Sequence, residues 1–157
     1  MASVLFVCLG NICRSPTAHG VFVEQVAAVG LQDVITIDSA GTGAWHVGEP
    51  PDARATAAAR SRGYDLSPLR ARQVRPADFD QFSHILAMDR SNLSHLAAMQ
   101  PADHPGHLGL FLDFHPDPPF REVPDPYYGG DDGFEEVLDL VEAAGEALLE
   151  QIRRDLP

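Results

Sequence analysis

Lysine is absent from this chain of 157 residues, and all 11 of its basic residues are arginine. Acidic residues number 23, so the formal net charge at pH 7 is −12. Proteins that bind nucleic acid irrespective of sequence need clustered cations to neutralise phosphates, so we expect no nucleic-acid partner. A single anion site remains compatible with this composition, because backbone N–H groups and one arginine supply positive potential locally.

Cysteine and long apolar runs are also scarce. The two cysteines, Cys8 and Cys13, are too few for a disulfide scaffold and do not have the ligand spacing of a zinc site. No apolar stretch is long enough to cross a bilayer, and the N-terminus lacks the basic and apolar regions of a signal peptide. We therefore expect a cytoplasmic protein without membrane insertion.

Short apolar runs alternate with helical patterns along the chain. The apolar runs predict strands at 4–7, 34–37, 84–88 and near 108–112. Helical spacing predicts helices at 16–29, 52–62, 91–99 and 134–152, with a short helical turn at 76–82. The alternation predicts a single α/β domain over residues 1–157. Its four-stranded parallel sheet would carry helices on both faces, as in a flavodoxin-like three-layer sandwich.

Polar residues mark where two of these helices should begin. Ser15 offers an N-cap and Pro16 a first helical residue, while Ser91 offers the N-cap of the helix that runs to residue 99. We interpret Asp89, at the end of the third strand, as a turn residue at that helix start and not as a catalytic group.

The segment Cys-Leu-Gly-Asn-Ile-Cys-Arg-Ser at 8–15 joins the first strand to the first helix. Ligands of parallel sheets bind beyond the carboxyl ends of the strands, and a helix N-terminus attracts anions. Gly10 permits a tight turn, and Asn11 tolerates a left-handed backbone. Arg14 supplies a planar fork that matches two oxygens of a tetrahedral anion. The segment therefore predicts a phosphate-binding loop.

Cys8 is the predicted nucleophile of this loop, because the positive potential around it favours the thiolate. An ester oxygen that leaves phosphorus needs a proton, and therefore a general acid. Asp125 is the candidate, since prolines on both sides stiffen the chain around its carboxylate. From the residues alone, an ordinary turn aspartate is the alternative.

Aromatic residues near the loop are candidate walls for a pocket that accepts a flat substrate. Tyr127 and Tyr128 follow the candidate acid, and Trp45 follows the second strand at the same edge of the sheet. The alternative for all three is packing against the core. Ser39, at the end of the second strand, either bonds to the catalytic loop or is an ordinary strand-end serine.

The chain resembles the low molecular weight protein tyrosine phosphatases over essentially its whole length. Five segments carry the resemblance: Val-Cys-Leu-Gly-Asn-Ile-Cys-Arg-Ser-Pro at 7–16, Asp-Ser-Ala-Gly-Thr at 38–42, Ala-Arg-Gln-Val at 71–74, Met-Asp-Arg-Ser-Asn at 88–92 and Asp-Pro-Tyr-Tyr-Gly at 125–129. The resemblance implies an enzyme that uses no metal, and we expect no other cofactor and a monomer. Its substrate would be a phosphotyrosine-containing protein or a small aryl phosphate, and its product inorganic phosphate.

The resemblance also implies roles for individual residues. Cys8 would attack phosphorus and form a cysteinyl phosphate, Arg14 would bind the phosphoryl oxygens, and Asp125 would protonate the leaving tyrosine. Ser15 would hydrogen-bond the sulfur. Asn11 and Ser39 would brace the loop, which also contains Gly10 and Cys13. The pocket would be lined by Leu9, Ile12, Trp45, Tyr127 and Tyr128.

Some features separate this chain from other proteins of similar pattern. Many relatives place a histidine where this chain has Leu69, so the support of the loop asparagine is expected to differ. Arsenate reductases of this type use cysteines downstream of the loop, and none follows Cys13. Protein-arginine phosphatases typically carry threonine at the position of Ile12.

Two further hypotheses concern function and regulation. A catalytically inactive module that binds phosphopeptides is the alternative from a different functional class. We also hypothesise a reversible Cys8–Cys13 disulfide that protects the nucleophile.

Overall fold

Alternating strands and helices build the fold, which the computed structural model describes for residues 2–128 and 130–157. The strands are β1 (Ala2–Cys8), β2 (Ile35–Gly41), β3 (His84–Ala87) and β4 (His107–Leu110). The α-helices are α1 (Arg14–Ala28), α2 (Ala53–Ser61), α3 (Asp78–Gln81), α4 (Arg90–Met99) and α5 (Asp131–Asp155). Two single 3₁₀ turns lie at Phe111–Phe114 and Pro126–Tyr128.

All strand pairs of the sheet are parallel, and the strand order is β2-β1-β3-β4. The central strand β1 pairs with both β2 and β3, so its carboxyl end lies between the ends of its two neighbours. In such a sheet the crevice beyond these ends is where ligands bind. The topology therefore places residue Cys8 at the mouth of that crevice and confirms the predicted fold class.

Side chains of β1 alternate between two apolar layers, as the two-residue period of a strand requires. Val4 and Phe6 pack with α1 and α5, and the Phe6 ring meets that of Phe22 edge-on at 5.7 Å. Leu5 and Val7 point the other way and pack with α3 and α4. Each large apolar side chain buried in this way contributes about 1.5–3 kcal/mol. Helices thus cover both faces of β1 and hold it rigidly under the loop that follows.

The predicted starts of two helices were wrong, each for a local reason. Helix α1 begins at Arg14 with Cys13 as its N-cap residue, because the Cys13 carbonyl accepts the first helical hydrogen bond, from the Thr17 N–H at 3.2 Å. Ser15 is thus inside the helix, and its hydroxyl is free for other contacts. Helix α4 is capped by Asp89 instead of Ser91, in a reciprocal capping box with Asn92.

The helices of the described residues are all too short or too polar to span a lipid bilayer.

Candidate active site

The loop after β1 wraps tightly around the Cys8 sulfur. Asn11 adopts the left-handed conformation expected for it, with φ of 57°, and its backbone N–H points at Cys8 Sγ over 3.3 Å. The start of the loop is fastened to the end of β2, because Thr42 and Gly43 donate their N–H groups to the carbonyls of Cys8 and Leu9, each at 2.9 Å. The loop is therefore fixed at both its strand and its helix.

Close approach between the loop and β2 requires a glycine at position 41. A Cβ atom built on Gly41 would lie 2.7 Å from the Leu9 carbonyl oxygen and 3.2 Å from the Asn11 nitrogen. Both neighbours are backbone atoms that cannot rotate away, so any side chain here would displace the loop.

Cys8 is buried, and its sulfur lies 3.0 Å from the Ser15 hydroxyl oxygen. Ser15 in turn accepts a hydrogen bond of 2.8 Å from the Asn11 side-chain amide. Two donors, the Asn11 N–H and the Ser15 hydroxyl, can therefore point at a negatively charged sulfur, which is the arrangement that stabilises a thiolate.

Arg14 is also buried, at the first turn of α1. Its Nη1 donates to Asp89 Oδ2 at 2.8 Å and to the Val123 carbonyl at 3.1 Å. Burial acts to lower the pKa of Arg14, but the negative charges of Cys8 and Asp89 outweigh it and raise that pKa above its ordinary value. The guanidinium is thus a fixed cation beside the sulfur.

Asp125, which is distant from the loop in sequence, lies beside Arg14. Its Oδ2 lies 3.8 Å from Arg14 Nη2, and its Oδ1 accepts the Tyr127 N–H at 3.0 Å. The side chain is 37% exposed, so it stands between the buried arginine and solvent. A carboxyl group placed there can exchange protons with a bound molecule and with water.

These groups share one pocket of about 350 Å³. Its lining consists of Cys8, Leu9, Gly10, Ile12, Cys13, Arg14, Trp45, His46, Asp125 and Tyr127. The rim is aromatic and open, since Trp45 is 73% and Tyr127 41% exposed. Arg54 contacts Tyr127 in two ways. Its Nη2 donates a hydrogen bond to the Tyr127 carbonyl oxygen at 3.0 Å, and its guanidinium carbon lies 5.4 Å from the centre of the Tyr127 ring. The Tyr128 side chain lies outside the described part of the structure.

The pocket combines the groups of an anion site with a buried sulfur. The Asn11 N–H and the Arg14 guanidinium supply positive potential beside the sulfur. Within residues 2–128 and 130–157 no group of three or more His, Cys, Asp or Glu side chains is arranged to hold a metal ion. A tetrahedral oxyanion fits such a site.

Comparisons with known proteins agree with this chemistry. The family model for the low molecular weight phosphotyrosine protein phosphatases matches residues 3–157. The chain belongs to this family. The low molecular weight protein-tyrosine-phosphatase YfkJ of Bacillus subtilis is 43% identical to it over 155 residues, which cover 99% of this chain and 98% of the relative.

Solved structures are similar to this phosphatase over their whole length. A protein tyrosine phosphatase from Entamoeba histolytica, with Hepes in its active site, superposes with a TM-score of 0.95 at 38% identity, covering 99% of both chains. A Drosophila arginine phosphatase superposes with a TM-score of 0.88 at 32% identity, covering 98% of this chain and 99% of its own.

Burial determines the protonation state of the second cysteine of the phosphatase. Cys13 is buried beneath the pocket, and desolvation, with smaller contributions from the charges of Asp52 and Cys8, raises its pKa to about 12. At neutral pH Cys13 is therefore a thiol.

Loop support in this phosphatase differs from the pattern that the resemblance implies. The Ser39 hydroxyl lies 3.0 Å from His19 Nδ1 on α1, and the hydrogen bonds of the described residues include none from its side chain to the loop. Leu69 packs against the apolar core instead of reaching Asn11. The Asn11 oxygen is held by the backbone N–H of Arg72 at 3.0 Å.

Two residues contribute to the phosphatase site in ways that were not predicted from the sequence. Asp89 is the predicted turn residue, but its second carboxylate oxygen also pairs with Arg14, 75 positions away. His46 lines the pocket with its Nδ1 2.7 Å from Glu49 Oε2. Its only sequence signal is its position directly after Trp45, beside a predicted pocket wall.

Proposed function

We propose that this phosphatase hydrolyses phosphotyrosine and small aryl phosphates through a cysteinyl-phosphate intermediate. One observation carries the proposal: a buried sulfur, a buried guanidinium and a half-exposed carboxyl group, from Cys8, Arg14 and Asp125, line the same pocket. These are the nucleophile, the clamp for the phosphoryl oxygens and the proton donor that transfer of a phosphoryl group to sulfur requires.

In the first step, the Cys8 thiolate attacks phosphorus, so that an S–P bond forms as the bond from phosphorus to the aryl oxygen breaks. The loop N–H groups and the Arg14 fork bind the non-bridging oxygens, whose charge the transition state spreads among them. Asp125, protonated at this stage, gives its proton to the departing aryl oxygen, which leaves as a neutral phenol.

In the second step, water attacks the phosphocysteine and Asp125, now a carboxylate, accepts its proton. The S–P bond breaks, Cys8 leaves as a thiolate and inorganic phosphate is released. The Asn11 N–H, 3.3 Å from the sulfur, and the Ser15 hydroxyl, 3.0 Å from it, stabilise the charge that returns to sulfur. Asp125 is then protonated for the next cycle.

The aromatic rim supports a flat phosphate ester as the substrate. Trp45 and Tyr127 stand on the lining of the pocket with much of their ring surface exposed, so an aryl group of the substrate can stack between them. Phosphoarginine is the second candidate substrate, because the Drosophila arginine phosphatase shares the fold. Ile12 in the pocket lining presents an apolar surface, which favours the aryl ester over a charged guanidinium.

The mechanism is tested by phosphate release from aryl phosphates with leaving groups of increasing pKa. We expect Cys8→Ser to be inactive and Asp125→Asn to lose about 10²–10⁴ in kcat with poor leaving groups, but less with good ones that need no proton. Asp117→Asn, at an exposed aspartate outside the pocket, is the matched control and should behave as wild type. Activity in Cys8→Ser, or an equal loss at every leaving group in Asp125→Asn, contradicts the assignments.

The substrate class is tested with one peptide carrying either phosphotyrosine or phosphoarginine. We expect kcat/KM to favour phosphotyrosine, and a preference for phosphoarginine reverses the choice. Tight binding of the phosphotyrosine peptide without turnover would instead identify a binding module.

We further propose that the enzyme acts in the cytoplasm as a monomer. The nucleophile needs a reducing compartment, because Cys8 and Cys13 are both free thiols in one pocket. The proposed nucleophile, clamp and acid come from a single chain, so the site is complete without a partner. Cell fractionation and sedimentation of the active enzyme test the two points.

A further inference from the structure

The amide of Asn11 occupies the centre of a chain of hydrogen bonds that ends at the Cys8 sulfur. Its Oδ1 accepts the backbone N–H of Arg72 at 3.0 Å, and its Nδ2 donates to Ser15 Oγ at 2.8 Å. A backbone N–H can only donate, so it fixes which end of the amide faces Arg72 and which faces Ser15. The orientation of Asn11 is therefore set from outside the loop.

This orientation also decides where the Ser15 proton goes. Ser15 Oγ already accepts from Asn11, and its single proton has two acceptors in reach: Cys8 Sγ at 3.0 Å and the Ala40 carbonyl at 3.4 Å. When Cys8 is a thiolate, its sulfur can only accept and is both the nearer and the charged partner, so the hydroxyl then donates to sulfur. A reversed Asn11 amide would point an N–H at the Arg72 N–H and deprive Ser15 of its donor.

Arg72 is anchored at its side chain by two carboxylates. Its Nη1 and Nη2 bind the two oxygens of Asp78 at 3.0 and 3.1 Å, and its Nε binds Asp38 Oδ2 at 3.1 Å. Asp78 is fully buried and also accepts the Arg75 N–H at 2.9 Å. A buried carboxylate is stable only when it is paired, and a two-pronged bond to guanidinium fixes direction as well as distance.

The backbone of Arg72 is fastened separately. Its carbonyl accepts the Gly41 N–H at 2.8 Å, which ties this segment to the end of β2. Side chain and backbone together hold the Arg72 N–H in place, so loss of one anchor should weaken the arrangement and not abolish it.

We propose that Asp78 is a positioning residue for the phosphatase reaction: through Arg72 and Asn11 it holds the Ser15 hydroxyl as a hydrogen-bond donor to the Cys8 sulfur. The proposal rests on the function proposed above. Asp78 is not among the residues that line the pocket, and it acts on the sulfur only through Arg72, Asn11 and Ser15. Weakening this chain of contacts leaves the sulfur less stabilised as a thiolate and as a leaving group, while Arg14 still binds phosphate.

The first test measures Cys8 directly, without turnover. Alkylation of Cys8 by iodoacetamide is followed by mass spectrometry between pH 4.5 and 8 in wild type, Asp78→Asn and the control Asp80→Asn, whose side chain is exposed on the same helix. Burial keeps Cys13 a thiol over this range and therefore slow to react. We expect iodoacetamide to alkylate Cys8 about threefold to tenfold more slowly in Asp78→Asn than in wild type at low pH. A decrease in rate of this size is expected when one hydrogen bond weakens. Asp80→Asn should match wild type.

The second test asks whether the effect travels through Ser15. With p-nitrophenyl phosphate, Asp78→Asn should lower kcat about threefold to tenfold, with less than about a twofold change in the inhibition constant of inorganic phosphate. In a Ser15→Ala background the same substitution should lower kcat by less than about twofold, because the donor it positions is gone.

Equal losses in both backgrounds overturn the proposal, and so does an alkylation profile of Asp78→Asn that matches wild type. If Asp78→Asn does not fold, Arg72→Lys replaces it in the same cycle, since it keeps the backbone N–H and the charge but cannot bind Asp78 with a planar fork. If wild type does not hydrolyse aryl phosphates, the proposed function fails while the alkylation test still decides the role of Asp78.

Discussion

Asp89 performs two tasks with its two carboxylate oxygens, and substitutions at this position separate them. Oδ1 accepts the Asn92 N–H at 2.8 Å and caps α4, whereas Oδ2 accepts Arg14 Nη1 at 2.8 Å. Serine retains an oxygen that can cap the helix but is too short to reach Arg14. Asp89→Ser therefore removes one contact, and Asp89→Ala removes both.

The magnitudes follow from these contacts. A hydrogen bond between charged groups contributes about 1.5–3 kcal/mol, and the 22% exposure of the Asp89 side chain argues for the lower half of that range. The Val123 carbonyl and Asp125 remain near Arg14 and offset part of the loss. We expect Asp89→Ser to lower the free energy of unfolding by about 1.5–2 kcal/mol and Asp89→Ala by about 1 kcal/mol more for the missing cap.

Activity should fall in parallel, because Arg14 without Asp89 can leave the orientation in which it meets phosphoryl oxygens. We expect kcat/KM for p-nitrophenyl phosphate to fall about 10–10²-fold in both variants, equally, since both lose the same contact to Arg14. Urea unfolding followed by circular dichroism and steady-state kinetics supply the two measurements. Wild-type kcat/KM in Asp89→Ser would show that the contact with Asp89 does not orient Arg14. A loss confined to Asp89→Ala would show the same and leave helix capping as the only role of Asp89.

Three further predictions concern the loop, its second cysteine and pH. Gly41→Ala should lower kcat/KM at least about tenfold, because its methyl group would meet a loop carbonyl at 2.7 Å, whereas Gly130→Ala, with no atom within 4 Å of the new carbon, should not. After peroxide treatment, wild type should recover more activity with dithiothreitol than Cys13→Ser does, and equal recovery contradicts a protective disulfide with Cys8. Burial lowers the pKa of His84 below its unfolded value of about 6.5, so the unfolded state binds more protons and stability falls as pH drops through that value; urea midpoints should fall less in His84→Gln.

The architecture was predictable because each element carries its own signal. Continuous apolar runs predicted all four strands to within a few residues, and helical spacing predicted the long α5 and the helices between the strands. The same local signals misplaced helix starts. Ser15 and Ser91 are good capping residues in isolation, but α1 begins at Arg14 after Cys13, and α4 is capped by Asp89 in a capping box with Asn92.

The contacts between residues that are distant in sequence could not be predicted from the sequence. The Asn11 amide meets Arg72 across 61 positions, and Arg14 meets Asp89 across 75. Nothing in the sequence around these residues indicates such a contact, because it forms only when distant segments come together in the fold. Most residues that line the pocket could be predicted from the sequence, but the contacts that hold them in place could not.

A covalent intermediate on Cys8 can be detected by rapid acid quench of the wild-type enzyme during turnover of an aryl phosphate labelled at phosphorus, followed by peptide mapping. We expect label on the peptide that contains Cys8, bound through sulfur, and none in Cys8→Ser. Label on another residue, or turnover without any covalently bound phosphate, contradicts a cysteinyl-phosphate mechanism.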